Sequence, residues 1–492
     1  MSQNNFILQF RLKTEVWQND IIDKRFESGR KIYNSLVSKS LKQLHELQKT
    51  QKYRNLLSQL TGDKEADASI WREINSLRKE AGFSEYGLSR MVTPMRIPFK
   101  KHIGTHIAQK ISKRIWESYE RFFYGNGEEI HFKKYGQMNS LEGKNNTTGI
   151  IFDKDKRICK WSRLTIPVIV DDKNSYEMES LDHPIAYCRV VKQIVRSKRK
   201  YYLQVVFKGQ KPAKRHNSDG SFVHVLGRGD VGIDIGTSTV AYASEDDVKV
   251  RELADKAQGM EREKWLLKRK LDRSRRSTNP DNYNPDGTAK KGRMKWVRSK
   301  RYMKILFALK EIYRKQKDVR KLQHEILANE VLRLGDNFYV ETMNFQALQK
   351  RVKETQKNNK GKIKRKKRFG KSLANRAPSM FLTILNRKLG YFGKELVKIN
   401  TWKARASQFN HIEETFEKKA LFKRWNIIEG TKVQRDMYSA FLIMNINPDL
   451  ESFDLTKCKN RYDKFLVLHN KEVKRIEDLK QNGKQILGCI GI

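Results

Sequence analysis

The chain has 492 residues, with 103 lysines and arginines against 56 aspartates and glutamates, so its formal net charge is +47 at pH 7. At roughly 150 residues per domain, this length predicts about three domains and excludes a small disulfide-stapled module. A chain with so much charge of one sign repels itself unless a polyanion neutralises it, and nucleic acids are the commonest large polyanions. The composition therefore predicts a nucleic-acid partner.

The apolar and cysteine patterns narrow the class further. No apolar run approaches the ~18 residues needed to span a bilayer. The first residues lack the profile of a signal peptide, so we expect an intracellular protein with no membrane partner. The cysteines, Cys159, Cys188, Cys458 and Cys489, include no CxxC pair, so we expect reduced thiols and no zinc site.

The first half of the chain combines strand and helix signals. Residues 5–14 alternate apolar and polar side chains, which predicts an opening β-strand. Apolar side chains three and four positions apart predict a helical domain over residues 16–125. Short β-rich segments separated by turn residues follow. We therefore predict a β-barrel domain made of residues 1–15 and 126–222, with the helical domain inserted into it.

The second half, residues 223–492, predicts a different sheet. Three strand signals come first, and they are followed by alternating helix and strand signals. The order β-β-β-α-β-α-β-α is that of a ribonuclease-H-like domain, with a helical insert at about 255–334 and a second insert at 408–432. The whole chain is thus predicted to be an α+β multidomain protein.

Three acids lie where such a domain would bring them together. Asp234 lies inside the first of these strands, Glu341 ends the fourth, and Asp436 opens the last helix. Carboxylate oxygens are the ligands that Mg²⁺ prefers, and paired metal ions assist the cleavage of phosphodiester bonds. Taken singly, each acid has an ordinary explanation as a turn residue, a strand-end acid facing water or a helix-start acid favoured by the dipole. Their joint occurrence in this order favours a nuclease site.

The segments that carry these acids resemble a known family. Gly-Ile-Asp-Ile-Gly at 232–236, Val-Glu-Thr-Met-Asn-Phe at 340–345 and Gln-Arg-Asp-Met-Tyr-Ser-Ala at 434–440 resemble the three RuvC motifs of TnpB, the transposon-encoded RNA-guided DNA nuclease related to compact type V CRISPR effectors. By that resemblance, 1–15 and 126–222 form a wedge domain, 16–125 a recognition domain and 223–492 a RuvC domain.

The resemblance also implies an activity. Asp234, Glu341 and Asp436 would bind two Mg²⁺ ions, or Mn²⁺ in their place, for hydrolysis of DNA. The partners would be a guide RNA, a double-stranded DNA target and its displaced single strand. We expect a cytoplasmic, nucleoid-associated bacterial protein. Composition and motifs are silent on its oligomeric state.

Two features depart from the family. Its members usually carry a four-cysteine zinc ribbon after a Ser-Gln pair, whereas no cysteine lies between Glu341 and Asp436 here, although Ser407 and Gln408 are present. Zinc is therefore not expected, and the insert at 408–432 is predicted to be held by apolar packing. The chain is also longer than the simplest members, so guides taken from a CRISPR array are an alternative to guides from a transposon end.

Basic residues concentrate in three segments, which we predict to bind nucleic acid. The usual explanation of a charge run is a solvated face, but acids do not balance these runs locally. In an RNA-guided nuclease, such cations hold nucleic-acid backbones while base pairing reads the sequence. Trp265, Tyr201 and Trp296 are candidates for stacking on bases, with core packing as the alternative. The predicted contacts are Arg196, Lys198, Arg199, Lys200, Lys264, Lys268, Arg269, Lys270, Arg273, Arg275, Arg276, Lys364, Arg365, Lys366, Lys367 and Arg368.

Arg435 is predicted to act beside the acids, either by pairing with one of them or by contacting a phosphate. Two rival functions remain. An RNA-guided repressor would bind DNA without cutting it, but such a protein should have lost acids from the site. A cut-and-paste transposase would place its acids in the order Asp, Asp, Glu, whereas this chain has Asp, Glu, Asp.

Overall fold

The computed structural model describes residues 5–492, except 64, 126, 197, 213–216, 218, 220, 222, 293, 350–368 and 421. The chain divides into two units, Met1–Lys214 and Arg215–Ile492. Each unit combines helices with one main β-sheet, so the prediction of a mixed α+β multidomain chain is confirmed in this coarse form. Within the described residues, no helix has both the length and the apolar character needed to cross a membrane.

The first unit is built on a seven-stranded antiparallel sheet in the order β2-β6-β7-β1-β5-β4-β3. In β1 every second side chain is buried, beginning with Phe6, which is the two-residue period expected of a strand with one face on a core. The edge strands β2 and β3 do not pair with each other, so the β-barrel-like unit expected from the sequence has the form of a curled half-barrel. The strands are β1 (Asn5–Leu12), β2 (Ser140–Glu142), β3 (Ile150–Asp153), β4 (Ile158–Trp161), β5 (Leu164–Ile169), β6 (Ile185–Val195) and β7 (Lys198–Lys208).

Five helices follow β1 directly and share one apolar core with the sheet. In the long first helix, Ile32, Leu36 and Ser40 are buried at four-residue spacing, and Tyr119 of the fifth helix donates a hydrogen bond to Ser40 at 2.9 Å. The helices of this unit are α1 (Val16–Lys49), α2 (Gln51–Ser58), α3 (Ala68–Glu80), α4 (Glu85–Arg96), α5 (Thr105–Phe123) and α6 (Ser175–Asp182).

The second unit contains a five-stranded mixed sheet in the order β10-β9-β8-β11-β12. The pairs β10–β9 and β9–β8 are antiparallel, whereas β8–β11 and β11–β12 are parallel. Two short hairpins, β13–β14 and β15–β16, lie outside this sheet. The strands are β8 (Asp230–Ile235), β9 (Thr239–Ala243), β10 (Val248–Glu252), β11 (Asn337–Glu341), β12 (Leu396–Ile399), β13 (Phe409–Asn410), β14 (Thr415–Phe416), β15 (Trp425–Ile428) and β16 (Thr431–Gln434).

Helices cover both faces of this sheet. Val231, Ile233 and Ile235 of β8 pack with α9 and α12 on one face, whereas α14 and α15 pack on the opposite face with residues of β9, β10 and β12. The helices of this unit are α7 (Asp255–Gln258), α8 (Glu261–Thr278), α9 (Lys300–Leu332), α10 (Phe345–Leu348), α11 (Gly370–Arg376), α12 (Pro378–Leu389), α13 (Thr401–Ala404), α14 (Arg435–Met444) and α15 (Leu455–Gln481).

The contact between β8 and α14 depends on Gly232. A Cβ atom at this position would lie 2.0 Å from the carbonyl oxygen of Ala440 and 2.3 Å from the amide nitrogen of Met444. Both of those atoms belong to the helix backbone, which a side-chain rotation cannot move aside. The absence of a side chain at residue 232 therefore sets how closely α14 approaches the sheet.

Gly232→Ala should separate α14 from β8 and destabilise the second unit by about 3 kcal/mol, the upper range for overpacking a core. The matched control is Gly236→Ala in the same motif, where the nearest atom would lie 3.5 Å from the new Cβ. Urea unfolding followed by circular dichroism measures the effect. Equal unfolding midpoints for the two variants would contradict the close contact.

Candidate active site

Asp234 and Glu341 are neighbours at one edge of the mixed sheet. The parallel pairing of β8 with β11 puts Ile233 opposite Val340, so the next residue of each strand, Asp234 and Glu341, lies side by side at the carboxyl ends. Alternate residues of a strand face opposite sides of a sheet. Ile233 and Val340 face α9 and α12, and both acids therefore face α14.

Asp436 reaches the same place from the helix above. It lies in the first turn of α14, four residues before Ala440, which contacts Gly232. Four helical residues span about 6 Å and two strand residues about 7 Å, so the helix brings Asp436 toward Asp234, two residues beyond Gly232. The structure thus brings the three sequence-predicted acids together from three distant parts of the chain.

The charges of the three acids interact. Burial raises the pKa of Asp234 well above its ordinary value, and the charges of Glu341 and Asp436 raise it further. Burial also raises the pKa of Glu341 to about 7. The pKa of Asp436 is likewise raised by burial, although Arg424 and Arg435 oppose the shift. Three carboxylates that repel one another form a site that a cation would stabilise.

Two arginines lie beside the acids. Arg424 Nη1 is 3.8 Å and Arg435 Nε is 3.7 Å from Asp436 Oδ1, both beyond hydrogen-bond distance. Within the described residues, the buried Arg435 Nε has no hydrogen-bond partner. The two cations therefore offset part of the Asp436 charge without closing the site. The sequence analysis identified Arg435 but missed Arg424. The contact between Arg424 and Asp436 depends on the pairing of β15 with β16, which the sequence does not show.

The donor chemistry fits a hard divalent cation. All three acids supply oxygen ligands, and in the described part of the chain no hydrogen bond or ion pair occupies the carboxylates of Asp234 and Glu341. The side chain of Asp436 keeps 15% of its surface exposed. However, no three histidine, cysteine, aspartate or glutamate side chains among the described residues lie close enough to hold an ion as placed. The liganding distances would have to form when an ion binds.

The insert after β12 is packed without cysteines. Phe409 lies 4.8 Å from the ring of Phe416 and 5.2 Å from that of Phe453, measured between centroids. His411 is fully buried, and its Nδ1 lies 2.7 Å from the hydroxyl of Tyr438 in α14. The backbone amide of His411 also donates to the Tyr438 hydroxyl, at 3.1 Å. Aromatic contacts and two buried hydrogen bonds therefore attach this segment to the helix that carries Asp436.

The predicted basic contacts of α8 border an open groove of about 440 Å³. Trp265 is 53% exposed, and the Arg269 guanidinium lies 4.6 Å from its ring centroid. Lys268, Arg273 and Arg276 share the lining with the single acid Asp272, which pairs with Arg275 and Arg276. Exposed Lys270 lies on the same helix. Cations around an exposed indole ring can bind a nucleic-acid backbone and stack on a base.

Other predicted contacts are placed differently. Lys264 is buried, paired with Glu261 and 3.4 Å from Gln316 Oε1, so its charge is compensated inside the unit. Tyr201 is buried in the core of the first unit, whereas Trp296 is 37% exposed. The segment that holds Lys364, Arg365, Lys366, Lys367 and Arg368 lies outside the described residues.

A second basic pocket lies in the first unit where β1 ends and β7 begins. It has a volume of about 320 Å³, and its lining within the described residues includes Arg11, Lys13, Arg199 and Lys200 but no carboxylate. Arg196 and Lys198 are exposed nearby in sequence. Arg199 is 2.5 Å from Asp23, which also pairs with Lys192. Sequence reasoning missed Arg11 and Lys13 because they are two isolated cations in an alternating strand.

Of three comparisons with known proteins, only the one with solved structures finds matches. No protein-family model matches it, and no curated protein matches its sequence. Among solved structures, it is similar to a Cas12f1–sgRNA–target DNA complex, with 12% identity, 91% of this chain and 99% of that chain covered, and a TM-score of 0.40. A CRISPR-Cas12f ternary complex matches with 14% identity, 91% and 100% coverage, and a TM-score of 0.23.

A third match is a Cas12i–crRNA–dsDNA complex, with 10% identity, 92% of this chain and 63% of that chain covered, and a TM-score of 0.25. The chain therefore has a structural similarity, at low identity, to Cas12f and Cas12i type V CRISPR effectors. These TM-scores lie below 0.5, so the likeness supports no conclusion about function.

The acid cluster should make the stability of the metal-free chain depend on pH. Because the pKa of Glu341 is about 7 in the folded chain against an ordinary 4.5, the folded state binds this proton more tightly than the unfolded state does. The protonated Glu341 side chain therefore contributes to the free energy of unfolding below pH 4.5, and this contribution is lost as the pH rises through 7. Removing this buried charge with Glu341→Gln should raise the midpoint of thermal unfolding by ~4 °C at pH 8 and have a much smaller effect near pH 5.

These measurements are made in a chelator by calorimetry, with Asp281→Asn, an exposed acid between α8 and α9, as the control. A shift for Glu341→Gln that is the same at pH 8 and pH 5 would show that the pKa of Glu341 is not raised in the folded chain.

The pocket of the first unit should contribute to salt-dependent RNA binding. Each cation that contacts a phosphate adds about 0.7 (single strand) to 0.9 (duplex) to the slope of log affinity against log salt concentration. Replacing Arg11, Lys13 and Lys200 together with glutamine should therefore reduce the slope by about 2 to 3. Fluorescence anisotropy with a labelled RNA hairpin measures it. A triple Lys42, Lys49 and Lys52 variant, which removes equal charge from exposed helical positions, is the control, and equal slopes for both triples would exclude binding in the pocket.

Proposed function

We propose that this chain is an RNA-guided DNA endonuclease that hydrolyses phosphodiester bonds at Asp234, Glu341 and Asp436. The observation that carries the proposal is the meeting of these three acids at the carboxyl ends of β8 and β11, with mutual repulsion that raises the pKa of Asp234 beyond the effect of burial. Three carboxylates kept close at such a cost to stability favour a functional role over a structural one.

The fold around the acids supports the same proposal. A mixed sheet in the order β10-β9-β8-β11-β12, with the first three strands antiparallel and the last two parallel to β8, is the arrangement expected of a ribonuclease-H-like domain. The half-barrel with its inserted helices α1–α5 is then the wedge and recognition part of the protein. This assignment extends the RuvC resemblance of the three motifs to the whole chain.

Asp234, Glu341 and Asp436 would hold the divalent ions, Mg²⁺ or Mn²⁺. Such ions, when bound, polarise the scissile phosphate and lower the pKa of water. The residues of the chain have separate tasks. Asp234 and Glu341 are fixed on adjacent strands, Asp436 is carried by α14, and Arg424 and Arg435 add positive charge beside Asp436 where an anionic phosphate would enter.

The charge of the chain suits two nucleic-acid strands. A net charge of +47 exceeds what solubility requires, and the basic groove on α8 and the basic pocket between β1 and β7 offer sites for backbones. We propose a guide RNA and a double-stranded DNA target with its displaced strand as the partners. The guide would come from a transposon end or from a CRISPR array, and the sequence of co-purifying RNA distinguishes these sources.

Asp234→Ala should abolish cleavage of a DNA target complementary to the co-purifying RNA, by at least about a thousandfold, since loss of a catalytic group commonly costs that much. RNA binding should be unchanged, because Asp234 does not line either of the two basic surfaces. Asp246→Ala, an exposed acid after β9, should cut normally. Retained Mg²⁺-dependent cutting by pure Asp234→Ala protein would refute the site. DNA binding without cutting by the unaltered chain would favour the repressor.

A further inference from the structure

The helix that carries Asp436 begins with an unusual cap. Gln434 is fully buried, and its Oε1 accepts a hydrogen bond from the amide of Met437 at 2.8 Å. This bond satisfies one of the amides that the first turn of a helix leaves unpaired. Serine, threonine, aspartate and asparagine are the usual capping residues, because their short side chains reach these amides with little freedom. A glutamine has an additional methylene, so other contacts must fix its side chain.

Two such contacts are present. The backbone amide of Gln434 donates to His469 Nε2 at 2.9 Å, and the Gln434 side-chain amide donates to the carbonyl oxygen of Ile490 at 3.0 Å. His469 is 1% exposed on α15, and its Nδ1 lies 2.9 Å from Asn470 Oδ1. Nδ1 therefore carries the proton and Nε2 is the acceptor. The cap residue Gln434 is therefore held on one side by His469 of α15 and on the other side by Ile490, in the segment that follows α15.

The segment around Ile490 is itself fixed beside the arginines. Trp425, which pairs with Gln434 across the β15–β16 hairpin, donates from its indole nitrogen to the carbonyl oxygen of Gly491 at 2.7 Å. Gly491 has a φ of +77°, and a Cβ there would lie 2.3 Å from Cβ of Arg424. The segment therefore packs against the residues that lie next to Asp436.

We propose that His469 and the carbonyl of Ile490, acting through Gln434, are positioning groups that hold Asp436 against Asp234 and Glu341. The proposal rests on the nuclease site described above. Repulsion from the other two acids pushes Asp436 outward whenever no cation is bound, and the first turn of α14 is the part of the helix most prone to fray. The three hydrogen bonds to Gln434 oppose that displacement.

The test substitutes His469 in the full-length chain. Glutamine places an oxygen where Nε2 lies and keeps the acceptor for the Gln434 amide, whereas asparagine imitates only Nδ1. His469→Asn should weaken Mn²⁺ binding about tenfold, the lower range for losing an outer-shell contact of a metal site. His469→Gln should bind as the unaltered chain does. Electron paramagnetic resonance measures the bound Mn²⁺. Only the Mn²⁺ binding that is lost in the Asp234→Asn variant is counted as binding at the acid site.

A second readout needs neither metal nor activity. Hydrogen exchange at the Met437 amide should be faster in His469→Asn than in His469→Gln, because the cap is released. The matched control is His411→Asn, which alters another fully buried histidine that contacts α14 through the side-chain hydroxyl of Tyr438 and not through Gln434. This control should leave both Mn²⁺ affinity and Met437 exchange unchanged.

The outcomes separate the two proposals. Absence of Mn²⁺ binding that depends on Asp234 in the unaltered chain would overturn the nuclease site and this inference with it. Normal binding that His469→Asn leaves unchanged, or that His411→Asn weakens equally, would overturn only the positioning role. If His469→Asn does not fold, Asn470→Ala, an exposed substitution that removes only the partner of Nδ1, takes its place and should weaken Mn²⁺ binding in the same direction.

Discussion

The close packing of α14 on β8 brings the three acids together, and much of the second unit depends on it. Residues Met437–Met444 are all buried, so this helix has no face on which it could move away from the sheet. Gly232 removes the side chain that would keep the helix at an ordinary distance. Apolar burial therefore holds three carboxylates near one another although their charges repel. The tendency of the site to attract a cation follows from this conflict between packing and electrostatics.

The cations of the chain fall into two classes with different consequences. Lys264, Arg275 and Lys192 have acidic partners within the fold, so their charges stabilise the units without creating an attractive surface. The groove on α8 and the pocket at the start of β7 contain many cations and few acids. A positive electrostatic potential therefore remains at both places, and a polyanion can neutralise it. The excess of 47 positive charges becomes informative only when these classes are separated.

The segment between β12 and α14 is held in place by aromatic packing. Phe409 and His411 of this segment pack on the aromatic core around α14. The hairpin β15–β16 then brings Arg424 and Trp425 beside the first turn of the helix. The insert thus contributes to the surroundings of Asp436, although it supplies none of the three acids.

The sequence alone determined the local elements and the candidate acids. Alternation in β1, the glycine-flanked strand around Asp234 and the helical spacing of α1 are properties of neighbouring residues, so local physics sufficed to predict them. The stacking candidates Trp265 and Tyr201 were indistinguishable in sequence, yet one is exposed and the other is core.

Only the tertiary structure decided the open half-barrel, the burial of Lys264, and the contacts of Arg424 and His469 with the first turn of α14. Each of these depends on which distant elements pack together. Such packing is set by the summed burial of many side chains across the sheet, and no single stretch of sequence records it.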